Sequence, residues 1–195
     1  ALGTTLEFRL PGTFEPLADL VGGGPFRLQP GQWTDDTSMA LCLAESLIAR
    51  DGFDPVHQLE TYCRWWKDGH LSSTGRCFDI GNTTRASLAA FLDTRAPFPG
   101  STSPHAAGNG SVMRLAPVPL RWANDPAEAV RLAGESSRTT HGAAECVDAC
   151  RYLGRLIVGA LHGTPKAELL SPGFRGADPL APKVAAVAAG SFRVK

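Results

Sequence analysis

The sequence has no surplus of either charge, no long apolar run and no alternating strand pattern, and each absence removes a class of protein. Its 19 basic residues are matched by 19 acidic ones in a chain of 195, so charge alone draws it to neither a nucleic-acid backbone nor an anionic membrane surface. No apolar stretch approaches the roughly 20 residues needed to cross a bilayer. Ala1 to Phe8 lack the basic start and apolar core of a secretory signal, although a chain that does not begin with Met can have lost a leader. The five cysteines, Cys42, Cys63, Cys77, Cys146 and Cys150, are too few and of the wrong number for a disulfide framework. Cys146 and Cys150 sit one helical turn apart without the further ligands that a zinc site needs. The expectation is a cytoplasmic protein with reduced thiols that binds neither nucleic acid nor membrane.

What is present is helical. Met39, Leu43 and Leu47 recur on one stripe with Ala40, Ala44 and Ile48 beside it, which predicts a helix over about 37–50 that Gly52 stops. A second is predicted over about 55–68, with Pro55 in its first turn and Val56, Leu59, Cys63 and Trp66 inward. A third is capped by Asn82 or Thr83 and runs through Phe91. Ser111 to Leu115 reads as the opening of another, interrupted by Pro117 and Pro119. Further helices fit about 126–136, about 143–161 (the longest and most apolar, hence central) and 181–189. Residues 9–33, 94–110 and 164–180 are rich in Gly and Pro and read as loops, the first with room for short strands. The predicted class is all-α, a single multi-helix domain over residues 1–195.

Four polar constellations interrupt this pattern, and each has a plain and a chemical reading. Trp33-Thr34-Asp35-Asp36-Thr37-Ser38 places two carboxylates and several hydroxyls at a helix start. Such hard oxygen donors suit Mg²⁺, Mn²⁺ or Ca²⁺ and not zinc, but Asp and Thr are also ordinary N-caps. Gly108-Asn109-Gly110-Ser111 leads into a predicted helix, where backbone N–H groups can receive a phosphate; it is also an acceptable Gly-rich turn. In Thr139-Thr140-His141-Gly142, His141 can stack on or bond to a ligand, or Thr140 can merely cap the following helix. Asp79, in Phe78-Asp79-Ile80-Gly81-Asn82-Thr83, is a loop carboxylate that can equally form a turn.

Taken together, these segments resemble the ADP-ribosylglycohydrolase family, which includes the dinitrogenase-reductase-activating glycohydrolases and the ADP-ribosyl-arginine and ADP-ribosyl-serine hydrolases. The segments that match are Ala1-Leu2-Gly3-Thr4-Thr5-Leu6-Glu7-Phe8, Trp33-Thr34-Asp35-Asp36-Thr37, Phe78-Asp79-Ile80-Gly81-Asn82-Thr83, Gly108-Asn109-Gly110-Ser111-Val112-Met113-Arg114 and Thr139-Thr140-His141, in the family's order along nearly the whole chain. The resemblance implies an all-helical, metal-dependent hydrolase that removes ADP-ribose from a protein side chain, with arginine favoured. Thr34, Asp35 and Asp36 match ligands of a dinuclear Mg²⁺ or Mn²⁺ site. Glu7, Asp36 and Asp79 match catalytic positions. Gly108, Asn109, Gly110, Ser111 and His141 match the part that holds ADP-ribose.

Two departures qualify the match. The helix with which the family opens is not seen before Ala1. No Asp-x-Asp element follows residue 100, where the family places its second metal half-site, and a truncated chain is the expectation. The rival readings are an ADP-ribose-binding module that does not hydrolyse, and a structural protein like the J1 crystallins, which resemble the same family.

Overall fold

The computed structural model describes residues 4–176 and 178–191, apart from the side chain of Arg175, and its regular elements are all helical. Eight α-helices follow one another among the described residues: α1 Asp35–Ala49, α2 Pro55–Asp68, α3 Asn82–Thr94, α4 Pro117–Arg121, α5 Pro126–Arg138, α6 Ala144–Leu161, α7 Lys166–Leu169 and α8 Pro182–Ala188. Short 3₁₀ turns occur at Thr4–Leu6, Pro104–Ala106 and Pro172–Arg175. Two isolated bridges, Gly23 with Leu28 and Ser101 with His141, are the only extended pairings described. The Ala1-Leu2-Gly3 part of the first matching segment lies outside the described residues.

Local chemistry explains several boundaries. Asp54 caps α2 by accepting from the backbone N–H groups of Val56 (3.0 Å) and His57 (3.1 Å), and Pro55 occupies the first turn, where its missing N–H costs nothing. Gly69 ends the helix at φ +71°, and a Cβ there would lie 2.3 Å from the Gly75 carbonyl oxygen. Only glycine meets both conditions.

The packing runs α3–α2–α1–α4, and α4 joins that layer to the α5–α6 pair. The longest helix, α6, touches α4, α5, α7 and α8. Met39, Leu43, Leu47, Leu59, Tyr62, Trp65, Leu88, Phe91, Leu115, Val118 and Leu132 form one buried cluster, drawn from both layers. At about 25 cal/mol per Å² of apolar surface removed from water, this cluster is the main source of stability. All five cysteines are free thiols, four of them buried. No helix among the described residues is long and apolar enough to cross a membrane.

Several expectations are corrected. Residues 111–114 are turns, and the helix begins only at Pro117; the prolines sit in its first turn and start it instead of breaking it. Gly81 holds the N-cap position of α3 with no side-chain cap, and Asn82 and Thr83 are already helical. On α2 it is Trp65 that is buried, with Trp66 only partly so. Ile48 is 79% exposed, because α1 buries the Met39–Leu43–Leu47 stripe together with Cys42 and Ser46 and turns Ile48 outward. The loop 164–180 contains α7 and a 3₁₀ turn.

Candidate active site

One cavity of about 440 Å³ gathers residues from five separated segments: Glu7 and Phe8, Asp35 and Asp36, Asp79 with Gly81 to Thr84, Gly108 to Gly110 with Met113, and His141. Helix starts create it. The first turn of α1 supplies two carboxylates, the first turn of α3 presents Asn82, Thr83 and Thr84, and the residue before α6's lead-in segment supplies His141. Helix N-termini carry partial positive charge, which favours anions. Two such ends therefore border the cavity, and one of them carries Asp35 and Asp36.

The acidic wall is self-repelling. Thr34 stands at the N-cap position of α1, yet its side chain makes no capping bond; its hydroxyl donates to Asp36 Oδ2 at 3.2 Å. Its carbonyl accepts from the Ser38 amide (3.2 Å) and hydroxyl (3.1 Å). The plain N-cap reading of this segment therefore fails for Thr34. Burial raises the Asp35 carboxyl to about 7, with the charges of Asp79 and Asp36 adding to it. Asp79 is raised to about 6, by burial first and then by Glu7 and Asp36. Its backbone is left-handed, φ +60°, a conformation that Asp tolerates better than most residues.

The opposite wall is neutral and tied from behind. The segment Gly108–Gly110 approaches the His141 ring so closely that a Cβ on Gly110 would lie 2.7 Å from His141 Cε1. Behind it, the Cys146 thiol donates to the Gly108 carbonyl at 3.3 Å. Ser111 is 2% exposed, and its Oγ meets Ser137 Oγ at 2.8 Å and the Cys150 thiol at 3.5 Å. The Ser137 hydroxyl donates to the His141 carbonyl at 2.8 Å. His141 itself is 3% exposed, and burial, followed by the charge of Arg114, lowers it to about 4. It is a neutral ring at physiological pH.

Of the residues singled out in the sequence, Glu7, Asp35, Asp36, Asp79, Gly108, Asn109, Gly110 and His141 line the cavity together. Thr34 and Ser111 do not; both are buried just behind it. Phe8, Asn82, Thr83, Thr84 and Met113 also line it and were read from the sequence only as neighbours or caps. Arg114, 1% exposed, was also passed over as a working residue. An arginine inside the apolar run Val112-Met113-Arg114-Leu115 was the signal that could have found it.

Hard oxygen donors of this kind suit a divalent cation in chemistry. The mutual repulsion of Asp35, Asp36 and Asp79 is what a nearby positive charge would relieve. Yet among the described residues no three His, Cys, Asp or Glu side chains converge on one point. These carboxylates alone do not complete a coordination shell among the described residues.

The whole chain has been compared with known proteins. The ADP-ribosylglycohydrolase family model matches residues 1–193. The ADP-ribosylarginine hydrolase Tri1 of Serratia proteamaculans is 43% identical over all 195 residues, which span 52% of that protein. The ADP-ribosyl-[dinitrogen reductase] glycohydrolase of Rhodospirillum rubrum is 35% identical over 170 residues, 84% of this chain and 54% of that one. A solved structure described as an ADP-ribosylglycohydrolase-related protein complex superposes with a TM-score of 0.84 at 44% identity, covering 98% of this chain and 62% of that one. The chain spans about half the length of the curated relatives it matches.

Proposed function

Because this chain belongs to the ADP-ribosylglycohydrolase family, we propose that its cavity binds ADP-ribose and that the protein releases it from a modified arginine by cleaving the N-glycosidic bond. The observation that carries this reading is the shared cavity, with an acidic wall from Glu7, Asp35, Asp36 and Asp79 facing a Gly-rich wall of Gly108 to Gly110 and His141. The arginine preference draws on the printed activity of the Serratia relative.

Breaking the bond between ribose C1 and a guanidinium nitrogen passes through an oxocarbenium-like state. Carboxylates beside the anomeric carbon stabilise that charge, and one of them must manage a proton. Asp79, raised to about 6, can hold or yield a proton near neutrality and is suited to the leaving nitrogen. Glu7, on the same wall, takes the proton of the attacking water. Gly108 to Gly110 border the cavity as a turn whose backbone can meet a diphosphate. Asp35 and Asp36 are the cavity-lining residues that would hold Mg²⁺ or Mn²⁺, with the Thr34 hydroxyl steadying Asp36 from behind. When bound, such an ion supplies Lewis-acid charge and a template for the ribose hydroxyls.

The test is release of ADP-ribose from an ADP-ribosylated arginine substrate, with and without Mg²⁺ or Mn²⁺. Asp36→Asn is expected to lower turnover by more than about a hundredfold while circular dichroism stays unchanged. Equal turnover by the variant would remove Asp36 from the site. ADP-ribose binding without release in the unaltered protein would favour the non-hydrolysing module.

A further inference from the structure

His141 reaches the cavity with one edge of its ring, and the other edge is tied to the protein interior. Its Nδ1 lies 2.8 Å from Thr140 Oγ1, and Nε2 faces the Gly108–Gly110 segment, 3.0 Å from where a Gly110 Cβ would stand. Which nitrogen carries the proton decides whether the ring offers this segment a donor or an acceptor.

The surroundings of Thr140 settle that choice. Arg114 Nη2 donates to Thr140 Oγ1 at 2.8 Å, and a guanidinium can only donate. The Thr140 hydroxyl thus receives a proton from one side and must pass its own to an acceptor. The partners recorded for this oxygen are Arg114 and His141 Nδ1, so Nδ1 is the acceptor and the ring proton sits on Nε2. Arg114 is itself fixed: Nη2 also reaches the Ser136 carbonyl (3.3 Å) and Thr139 Oγ1 (3.2 Å), and the guanidinium lies 4.5 Å over the Tyr62 ring. Thr140 is fully buried, and its carbonyl accepts from the Ser87 hydroxyl at 2.8 Å, which anchors the backbone that carries the relay. The neutral state of His141 leaves one ring proton to place.

We propose that Arg114 and Thr140 are positioning residues that lock His141 in its Nε2–H tautomer, so that the ring presents a hydrogen-bond donor to a diphosphate or ribose oxygen of ADP-ribose held against Gly108–Gly110. The ligand in this proposal rests on the ADP-ribose reading above; the tautomer does not. A cation buried behind a neutral ring thereby reaches the ligand as a donor through one hydroxyl, without placing a charge in the cavity.

The test combines ¹⁵N-histidine NMR of the full chain with calorimetry against ADP-ribose, on the parent, Thr140→Val and Thr140→Ser; His141→Gln identifies the resonances. The parent should show a bare Nδ1 and a protonated Nε2. Thr140→Val, nearly the same shape without the hydroxyl, should show both tautomers and bind ADP-ribose about tenfold more weakly, and Thr140→Ser should restore both. A parent protonated at Nδ1 overturns the proposal, as does a Thr140→Val variant whose tautomer and affinity match the parent. If the parent binds no ADP-ribose, the ADP-ribose reading falls, and the tautomer spectra alone decide the lock.

Discussion

The two walls of the cavity are built on opposite principles. The Gly108–His141 wall is finished: hydroxyls, thiols and Arg114 engage one another behind it. The Glu7–Asp35–Asp36–Asp79 wall is in tension, with two of its carboxyls pushed up towards neutrality by burial and by neighbouring carboxylates. One wall is ready before a ligand arrives, in the sense of preorganisation. The other gains most when positive charge enters. Rigidity and repulsion placed face to face give a site that is shaped by one side and driven by the other.

The comparison breaks most visibly at Gly110. Gly110→Ala places a methyl 2.7 Å from His141 Cε1 and 3.2 Å from Thr84 Oγ1, and the ring must move. Affinity for ADP-ribose is expected to fall about tenfold or more, with a loss of about 1–3 kcal/mol in stability by denaturant titration. An unchanged variant would mean that this wall is soft.

An effect confined to a pH window sharpens the other wall. The folded chain holds Asp35 protonated up to about pH 7, against an ordinary 3.8, whereas the unfolded chain loses that proton near 4. Its contribution to stability is therefore fully present below about pH 4 and is lost as pH rises through 7. Asp35→Asn should match the parent near pH 4 and exceed it at pH 8 without divalent ions, by up to about 4 kcal/mol, since a tenfold change in proton affinity is worth about 1.4 kcal/mol. Excess Mg²⁺ should erase that advantage by stabilising the parent alone. Parallel melting curves at both pH values, with no effect of Mg²⁺, would mean that the acidic wall is relaxed.

The smallest effect is expected at Cys146→Ser. The hydroxyl can still donate to the Gly108 carbonyl, so stability and ADP-ribose affinity should stay within about 1 kcal/mol of the parent. A large loss would mean that thiol packing, and not the hydrogen bond, supports the loop.

Much of the fold was legible because its signals were local. Pro55 and the following apolar period gave α2 its observed limits, and the all-helical class followed from the absence of alternation. Errors arose where tertiary packing chose between near-equal faces, as with Trp65 over Trp66, or where prolines served a helix start instead of a break, as at Pro117. For the site, residue types were readable but convergence was not. Glu7, Asp36 and Asp79 are far apart in sequence, and only the family resemblance joined them. Ser111 and Thr34 were read as contacts, but both are turned inward to neighbouring hydroxyls, thiols or carboxylates. Nothing in Thr139-Thr140-His141 alone could reveal that Arg114 stands behind it.

The left-handed backbone of Asp79 limits what can replace it. Asparagine and glycine accept that turn readily, but both discard the carboxylate; glutamate keeps the acid and fits the turn less well. Substitutions that this backbone tolerates best therefore remove the acid from the wall, and a path to a longer acid is steep.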